Sequence, residues 1–90
     1  MRLFEPGIVQ GTPKAVEAME RAAQDPVELL ERYLSGDWGE AHEDDVRENH
    51  VAMKTRDRIM GVYPLWTGET IVIITDPGHE ITTIMRPEEF

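Results

Sequence analysis

Several side chains in the second half of the chain could act together as a general acid, a general base and a cation. A metal-independent ribonuclease needs only an acid/base pair and a cation held over a β-sheet. The residues that could supply these groups are His50 or His79, Arg58, Tyr63, and Thr82 or Thr83. Each also fits an ordinary structural role, because a tyrosine fills a core, threonines favour strands and an arginine suits a helix end. Ribonuclease-like chemistry is therefore the second of two hypotheses.

Nitrogen and oxygen ligands for a metal ion occur together in the stretch His42–Asp45, with His50 further along. His42 and Asp45 are three residues apart and would share one side of a helix. The spacing matches no known metal site, whereas acids in the first turn of a helix commonly compensate its dipole. We expect His50 to pack against the core as a hydrogen-bonded histidine. The sequence therefore predicts no metal ion, and no pattern in it indicates another cofactor.

Motifs for covalent catalysis and for phosphate binding are missing. The chain has no cysteine, and its only serine, Ser35, lies at a predicted helix end without the glycine elbow of a nucleophilic serine. The glycine-containing stretch from Gly7 to Lys14 lacks the Gly-Lys-Ser/Thr ending of a phosphate loop. These observations disfavour an enzyme.

The acidic residues indicate a different use of the surface. The chain has 18 acidic and 9 basic residues, so its formal net charge is −9 and it should repel nucleic-acid phosphates. Such a charge commonly serves solubility, and its alternative uses are a surface offered to a basic partner or a mimic of nucleic acid. The residues expected to form the contact lie in one loop and in the helix start after it: Asp37, Trp38, Glu40, Glu43, Asp44 and Asp45. Protein interaction is therefore the first hypothesis.

Trp38 allows two interpretations. A tryptophan between glycines commonly anchors its loop by burying a large ring in the core, and Gly36 and Gly39 let the chain turn tightly enough to do so. An exposed ring would instead be a hot spot for a protein partner. We expect the ring to anchor the loop, and the contact with a partner is the alternative.

Three helices are predicted in the first half of the chain. Thr12-Pro13 and Asp25-Pro26 each place a proline after an N-cap residue, so helices should run over residues 13–24 and 26–35. A thinner amphipathic pattern predicts a surface helix over residues 41–57. The residues expected to face the core are Val16, Met19 and Ala23 in the first helix, Val27, Leu30, Tyr33 and Leu34 in the second, and Val46, His50 and Met53 in the third.

A β-meander is predicted in the second half. Strands are indicated over residues 58–63, 70–75 and 80–85, and turn residues separate them. The unbroken run Ile71–Ile74 is typical of a central strand that is buried on both faces. Residues 7–10 could add a short strand. Because helices on one face would leave half of this run bare, a homodimer or the second helix must cover the other face.

Size and composition indicate a single domain over residues 1–90. A chain of this length buries only about 60 to 65 per cent of its unfolded surface, so every element must share one core. The absence of cysteine excludes a disulfide framework and fits a cytoplasmic protein. The run Ile71–Ile74 is the longest aliphatic stretch, whereas a bilayer span needs about 20 residues, so no membrane association is expected.

Several short stretches share the pattern of one protein family. They are Ser35–Glu40 (SGDWGE), Arg58-Ile59, Ile73–Asp76, Thr82–Ile84 and Pro87–Phe90 (PEEF). In these the chain resembles a family of small uncharacterised bacterial proteins, many described as hypothetical or plasmid-related. That family has Asp-Gly where this chain has Thr67-Gly68, and a longer link with an arginine where this chain has Asp76–His79. The resemblance implies a cytoplasmic accessory protein from a mobile element, and the missing arginine further disfavours a nuclease.

Together these patterns predict an α+β fold. Two or three N-terminal helices should pack on a C-terminal three-stranded antiparallel meander, extended by a short N-terminal strand. The predicted function is protein interaction, with a protein partner, no nucleic acid and self-association into a homodimer.

Overall fold

The computed structural model describes all 90 residues and confirms the α+β class. In chain order the elements are β1 (Ile8–Gly11), α1 (Pro13–Arg21), α2 (Pro26–Leu34), α3 (Glu43–Thr55), β2 (Ile59–Pro64), β3 (Thr70–Thr75) and β4 (Ile81–Met85), and a 3₁₀ turn follows over Pro87–Glu89. None of the helices combines the length and the apolar character that crossing a membrane requires.

The four strands form one mixed sheet in the order β1-β4-β3-β2. β2, β3 and β4 are antiparallel neighbours, as the meander pattern predicts. β1 lies parallel to β4, with Ile8 beside Ile81 and Gly11 beside Ile84. The three-stranded antiparallel sheet is therefore a wrong prediction. β1 is separated from the other strands by all three helices, a connection long enough to allow parallel pairing, which a short hairpin would not.

The helices pack on one face of the sheet, which we call the helix face. Its side chains alternate along the strands with those of the opposite face and belong to Ile59, Gly61, Tyr63, Ile71, Ile73, Thr75, Thr82 and Ile84. α1 contributes a row of small residues plus Met19 to the core beneath it, and α2 contributes Leu29, Tyr33 and Leu34. The small side chains of α1 let its backbone approach the sheet closely, so the core of this short chain is continuous.

Helix ends and helix faces differ in detail from the predictions. α1 ends at Arg21, because Ala23 has a positive φ of 51° and the Gln24 amide donates to the Met19 carbonyl at 2.8 Å. Ala23 and Val16, predicted to be inside, are exposed. Val27 and His50 are exposed as well, since α2 and α3 turn neighbouring positions inward.

The opposite face of the sheet, which we call the second face, carries no charged side chain on its strands. Its residues are Ile8 and Gln10 on β1, Ile81, Thr83 and Met85 on β4, Thr70, Val72 and Ile74 on β3, and Met60 and Val62 on β2. Val72 and Ile74 are buried outside the main core, and the C-terminal 3₁₀ turn packs against β3. α2 does not wrap round to this face, because its buried side chains all belong to the main core.

Candidate functional site

Two of the six candidate catalytic residues have no exposed surface. Tyr63 and Thr82 are fully buried on the helix face. The Tyr63 hydroxyl donates to the Asp37 carbonyl at 2.7 Å, and burial raises the pKa of Tyr63 well above its ordinary value. A phenol that is buried, protonated and already bonded to the backbone cannot exchange a proton with a substrate. The structure therefore does not support the role predicted for Tyr63.

Thr82 belongs to a chain of hydrogen bonds inside the core. Its hydroxyl donates to the Pro6 carbonyl at 2.7 Å, and its oxygen lies 2.7 Å from the Thr75 hydroxyl. The Thr75 hydroxyl in turn lies 2.6 Å from the Tyr33 hydroxyl, which also donates to the Ile59 carbonyl at 3.0 Å. These bonds satisfy polar groups that would otherwise be buried without partners. Thr82 therefore has a structural role.

The remaining basic groups do not form a positive cleft. His50 is exposed on α3, and the ring of the buried His79 lies 2.7 Å from the Asp57 carbonyl oxygen. A shallow groove beside α3 is lined by Arg47, Glu48, Val51, Ala52, Asp57 and Arg58. Arg47 pairs with Asp44, and Arg58 lies 3.9 Å from Asp45. Because acids neutralise both arginines, this groove does not attract a phosphate backbone.

The stretch Ser35–Glu40 forms a tight structural corner after α2. The Asp37 carboxylate accepts from the Arg32 guanidinium at 2.7 Å and from the Gly39 amide at 3.1 Å. These bonds, the arginine foremost, hold the pKa of Asp37 below its ordinary value. Gly36 and Gly39 have φ angles of 90° and 66°, which only glycine adopts without strain. The Asp37 carboxylate therefore stabilises the corner through bonds within the chain.

Trp38 is buried, so the prediction that it anchors its loop is confirmed. The ring is 5% exposed and lies 5.6 Å from the Tyr33 ring and 6.1 Å from the Phe4 ring. Its indole nitrogen has no hydrogen-bond partner, so shape and area hold the ring in place. Trp38 therefore offers no contact surface to a partner.

The same corner closes one edge of the sheet, which we call the closed edge. The Val62 amide on β2 donates to the Trp38 carbonyl at 3.0 Å, and the Glu40 amide donates to the Val62 carbonyl at 2.7 Å. Met60 lies two residues before Val62 on β2 and is bound by the buried Asn49 of α3. The Asn49 side chain accepts from the Met60 amide at 3.0 Å and donates to the Met60 carbonyl at 2.8 Å. A side chain at Gly39 would collide with the Val62 carbonyl. The outward amides and carbonyls of Met60 and Val62 are thus all paired.

The predicted acidic contact residues differ in how freely they could meet a partner. Glu40 and Glu43 are exposed and form no ion pair within the chain. Asp44 pairs with Arg47, and Asp45 lies near Arg58, as described above. His42 accepts from the Asp44 amide at 3.1 Å and caps α3. No group of three histidine or acidic side chains is arranged to hold a metal ion.

The opposite edge of the sheet, on the outer side of β1, is not covered, and we call it the free edge. The Ile8 amide donates to the Glu80 carbonyl, just before β4, at 2.8 Å, and the Thr12 amide donates to the Ile84 carbonyl of β4 at 2.9 Å. Because successive backbone groups alternate along a strand, the amides and carbonyls of Val9 and Gly11 point away from β4. β1 is the last strand in the sheet order, and all four of its residues are exposed.

Exposed apolar side chains gather along the free edge. Ten large apolar side chains of the chain are exposed, and four of them flank β1: Ile8, Val9, Val16 and Ile81. Ile8 is the most exposed of the four, at 70%, and neighbours Ile81 on the second face. Val9 lies on the helix face with Val16 of α1 close to Gly11. An unpaired strand that carries no charged side chain is a usual setting for strand addition.

Two parts of this arrangement were missed by the sequence analysis. Asn49 gives no signal, because an asparagine in a helix commonly faces solvent. The sequence indicates only a possible strand over residues 7–10, and the pairing of β1 with β4 depends on residues more than 70 positions apart. The exposed cluster has one visible sequence signal, the pair Ile8-Val9 beside glycines and before a helix cap.

Comparisons of the chain with models of protein families, with curated proteins and with solved structures find no match. The resemblance to the family of small bacterial proteins stays a prediction.

Proposed function

We propose that this chain is a non-catalytic protein-interaction module that binds through the free edge of its sheet. The observation that carries the proposal is the unpaired outer side of β1, with exposed apolar residues on both of its flanks. Elsewhere, the Tyr63, Thr82 and Asn49 side chains and the closed edge of the sheet are used for internal contacts. Main-chain hydrogen bonds to an added strand supply affinity in such a mode, and the flanking side chains supply selectivity.

The acidic surface has a supporting role in this proposal. Glu40 and Glu43 are free of ion pairs and lie beside the closed edge, on the opposite side of the sheet from β1. Carboxylates without internal partners, in a chain with a net charge of −9, would speed the encounter with a basic protein. The acidic residues that were predicted to form the contact therefore have an electrostatic role. The hydrogen bonds to the partner are made by β1.

The wider setting of the proposal is a cytoplasmic accessory protein. The cysteine-free composition is compatible with a reducing compartment. The resemblance to bacterial proteins described as plasmid-related supports an accessory role on a mobile element. Ribonuclease-like chemistry is left as the alternative, and no contact in the site favours it.

A pair of matched variants tests the proposal. Val9→Lys places a charge at the free edge, as natural sheet edges do to prevent pairing. Val51→Lys makes the same change of charge on α3, where the side chain is also exposed. Both variants should fold like the wild type. We expect proteins that associate with the immobilised wild-type chain, including its own untagged copies, to be retained by Val51→Lys and lost by Val9→Lys. Equal retention by both variants would contradict the proposal.

A further inference from the structure

We infer that the partner of the free edge is the same edge of a second copy of this chain, an inference that rests on the proposed interaction function. Two β1 strands would pair antiparallel about a twofold axis and join two four-stranded sheets into one of eight strands. The inference follows from three properties of the edge: its hydrogen-bonding register, its shape and its lack of charge.

The register follows from which backbone groups point outward. Val9 and Gly11 direct their amides and carbonyls away from β4, whereas Gln10 between them does not. A twofold axis at Gln10 sets Val9 of one copy opposite Gly11 of the other. In an antiparallel ladder such a pair exchanges two hydrogen bonds. The two equivalent pairs would therefore satisfy every outward amide and carbonyl of β1 in both copies.

The shape of the edge is complementary to itself in this register. Val9 and Gly11 both lie on the helix face, where Gly11 leaves a space beside Val16 of α1. A Cβ atom built on Gly11 would lie 3.4 Å from a Val16 methyl group, so the missing side chain marks a slot bounded by that valine. Val9 of the second copy would occupy this slot, and the symmetry repeats the contact. A glycine opposite an exposed valine thus gives a reason for a second copy rather than an arbitrary strand.

The charge distribution allows two acidic chains to meet at this edge. The side chains of β1 and those of the β4 residues beside it are uncharged, although the chain carries a formal net charge of −9. A carboxylate just beyond the end of β1, that of Glu89, already accepts from the Thr12 hydroxyl at 2.7 Å. The contact between the two β1 strands would therefore contain no charged side chain of its own. The general repulsion between two copies is long-range and screened by salt, with a Debye length of about 10 Å at 0.1 M. Self-association should become tighter as salt is added, whereas contact with a basic partner should weaken.

The dimer should be weak, because β1 has only four residues. Its interface would be smaller than the roughly 1,600 Å² of total area that is typical of stable complexes. We expect a dissociation constant of roughly 10 to 100 µM.

The register can be tested by cross-linking, because the natural chain has no cysteine. Gln10→Cys places the two introduced thiols opposite each other at the axis, with Cα atoms about 4.5 to 5.5 Å apart, within the range of a disulfide. Ile8→Cys is the matched control. In this register the two introduced thiols lie about 14 Å apart, beyond disulfide reach. Both positions are exposed. Under mild oxidation Gln10→Cys should form disulfide-linked dimers at least 10-fold faster than Ile8→Cys, and equal rates would overturn the register.

Sedimentation analysis tests the association itself. The wild type and Val51→Lys should show the same monomer–dimer equilibrium, and Val9→Lys should raise the dissociation constant at least 10-fold. Gly11→Val should raise the dissociation constant in the same way as Val9→Lys, because the introduced valine side chain occupies the slot that Val9 of the second copy would fill. Val9→Lys lowers the net negative charge, so a loss of dimer in that variant cannot come from stronger long-range repulsion between two acidic chains, and the uncharged Gly11→Val excludes local repulsion between the introduced lysines. An unchanged equilibrium in both edge variants would overturn the inference.

The inference and the proposed function fail in distinguishable ways. A wild type that stays monomeric up to about 1 mM overturns pairing with a second copy. If the same wild type still binds a different protein that Val9→Lys does not bind, the proposed function stands. If Val9→Lys loses no association of any kind, both fail.

Discussion

The two edges of the sheet differ in how their outward backbone groups are satisfied. On the closed edge, Val62 pairs with the corner at Trp38, and Asn49 holds both backbone groups of Met60. On the free edge, the outward groups of Val9 and Gly11 have no partner within the chain. Buried residues, Trp38 and Asn49, hold the closed edge, whereas all four residues of the free edge are exposed. The closed edge therefore contributes to stability, and we propose that the free edge serves association.

Natural edge strands usually carry protection against unwanted pairing. Lysines, prolines, bulges or inward-pointing charges are the common devices, and β1 has none of them between Ile8 and Gly11. Proline stands close to both ends of the strand, at Pro6 and Pro13, and limits its length. A short unprotected edge of this kind permits one specific pairing while restricting extended aggregation.

The largest effect is expected at the core of the closed edge. Trp38→Ala removes a buried aromatic ring and should lower the free energy of unfolding by about 3 to 5 kcal/mol. Ile8→Ala is the matched change on the free edge and should alter it by less than about 0.5 kcal/mol, because Ile8 is exposed. Denaturant unfolding of the two variants measures both values. If Trp38→Ala and the wild type unfold at the same denaturant concentration, the account of the closed edge is wrong.

A smaller effect is expected from the amide side chains of the two edges. Asn49→Ala leaves the half-buried Met60 amide and carbonyl without partners and should cost about 2 to 3 kcal/mol. Gln10→Ala removes an amide that makes one exposed bond, to the Thr83 hydroxyl, and should cost less than about 0.5 kcal/mol. Thermal unfolding of the two variants side by side tests the contrast. Similar melting temperatures for both would remove the distinction between the edges.

The smallest effect concerns pH and Asp37. Its pKa in the folded chain lies below the ordinary value of 3.8, because Arg32 and the Gly39 amide bind the carboxylate. The unfolded chain therefore takes up this proton first as the pH falls, and the stabilisation is present above pH 3.8 and lost below it. Asp37→Asn should thus be less stable than the wild type at neutral pH, and the gap should narrow in acid. Denaturant unfolding of both proteins at several pH values measures this difference in stability. A difference that does not change with pH would argue against a stabilising role for the Asp37 carboxylate.

Much of the fold could be predicted because its signals are local. The prolines after Thr12 and Asp25 start two helices where expected, and the run Thr70–Thr75 is the predicted central strand. Local signals also identified Trp38 as a loop anchor.

The rest depends on contacts between distant residues. Parallel pairing of β1 with β4 is set by where three helices return the chain, and no short pattern encodes it. The catalytic hypothesis failed to gain support for the same reason. Tyr63 and Thr82 are reactive in type, but their environment decides their role, and both are buried and bonded to backbone carbonyls. The sequence alone could not show which of the candidate catalytic side chains would be buried and hydrogen-bonded within the core.

Hydrogen exchange at the two edges tests the central claim most directly. In dilute protein, the amides of Val9 and Gly11 should exchange rapidly, while those of Ile8, Thr12 and Val62 are protected by their bonds within the chain. In concentrated protein, Val9 and Gly11 should become protected, because a second copy covers them, and the other three should change little. If Val9 and Gly11 exchange equally fast at both concentrations, the free edge does not pair with itself and the account is contradicted.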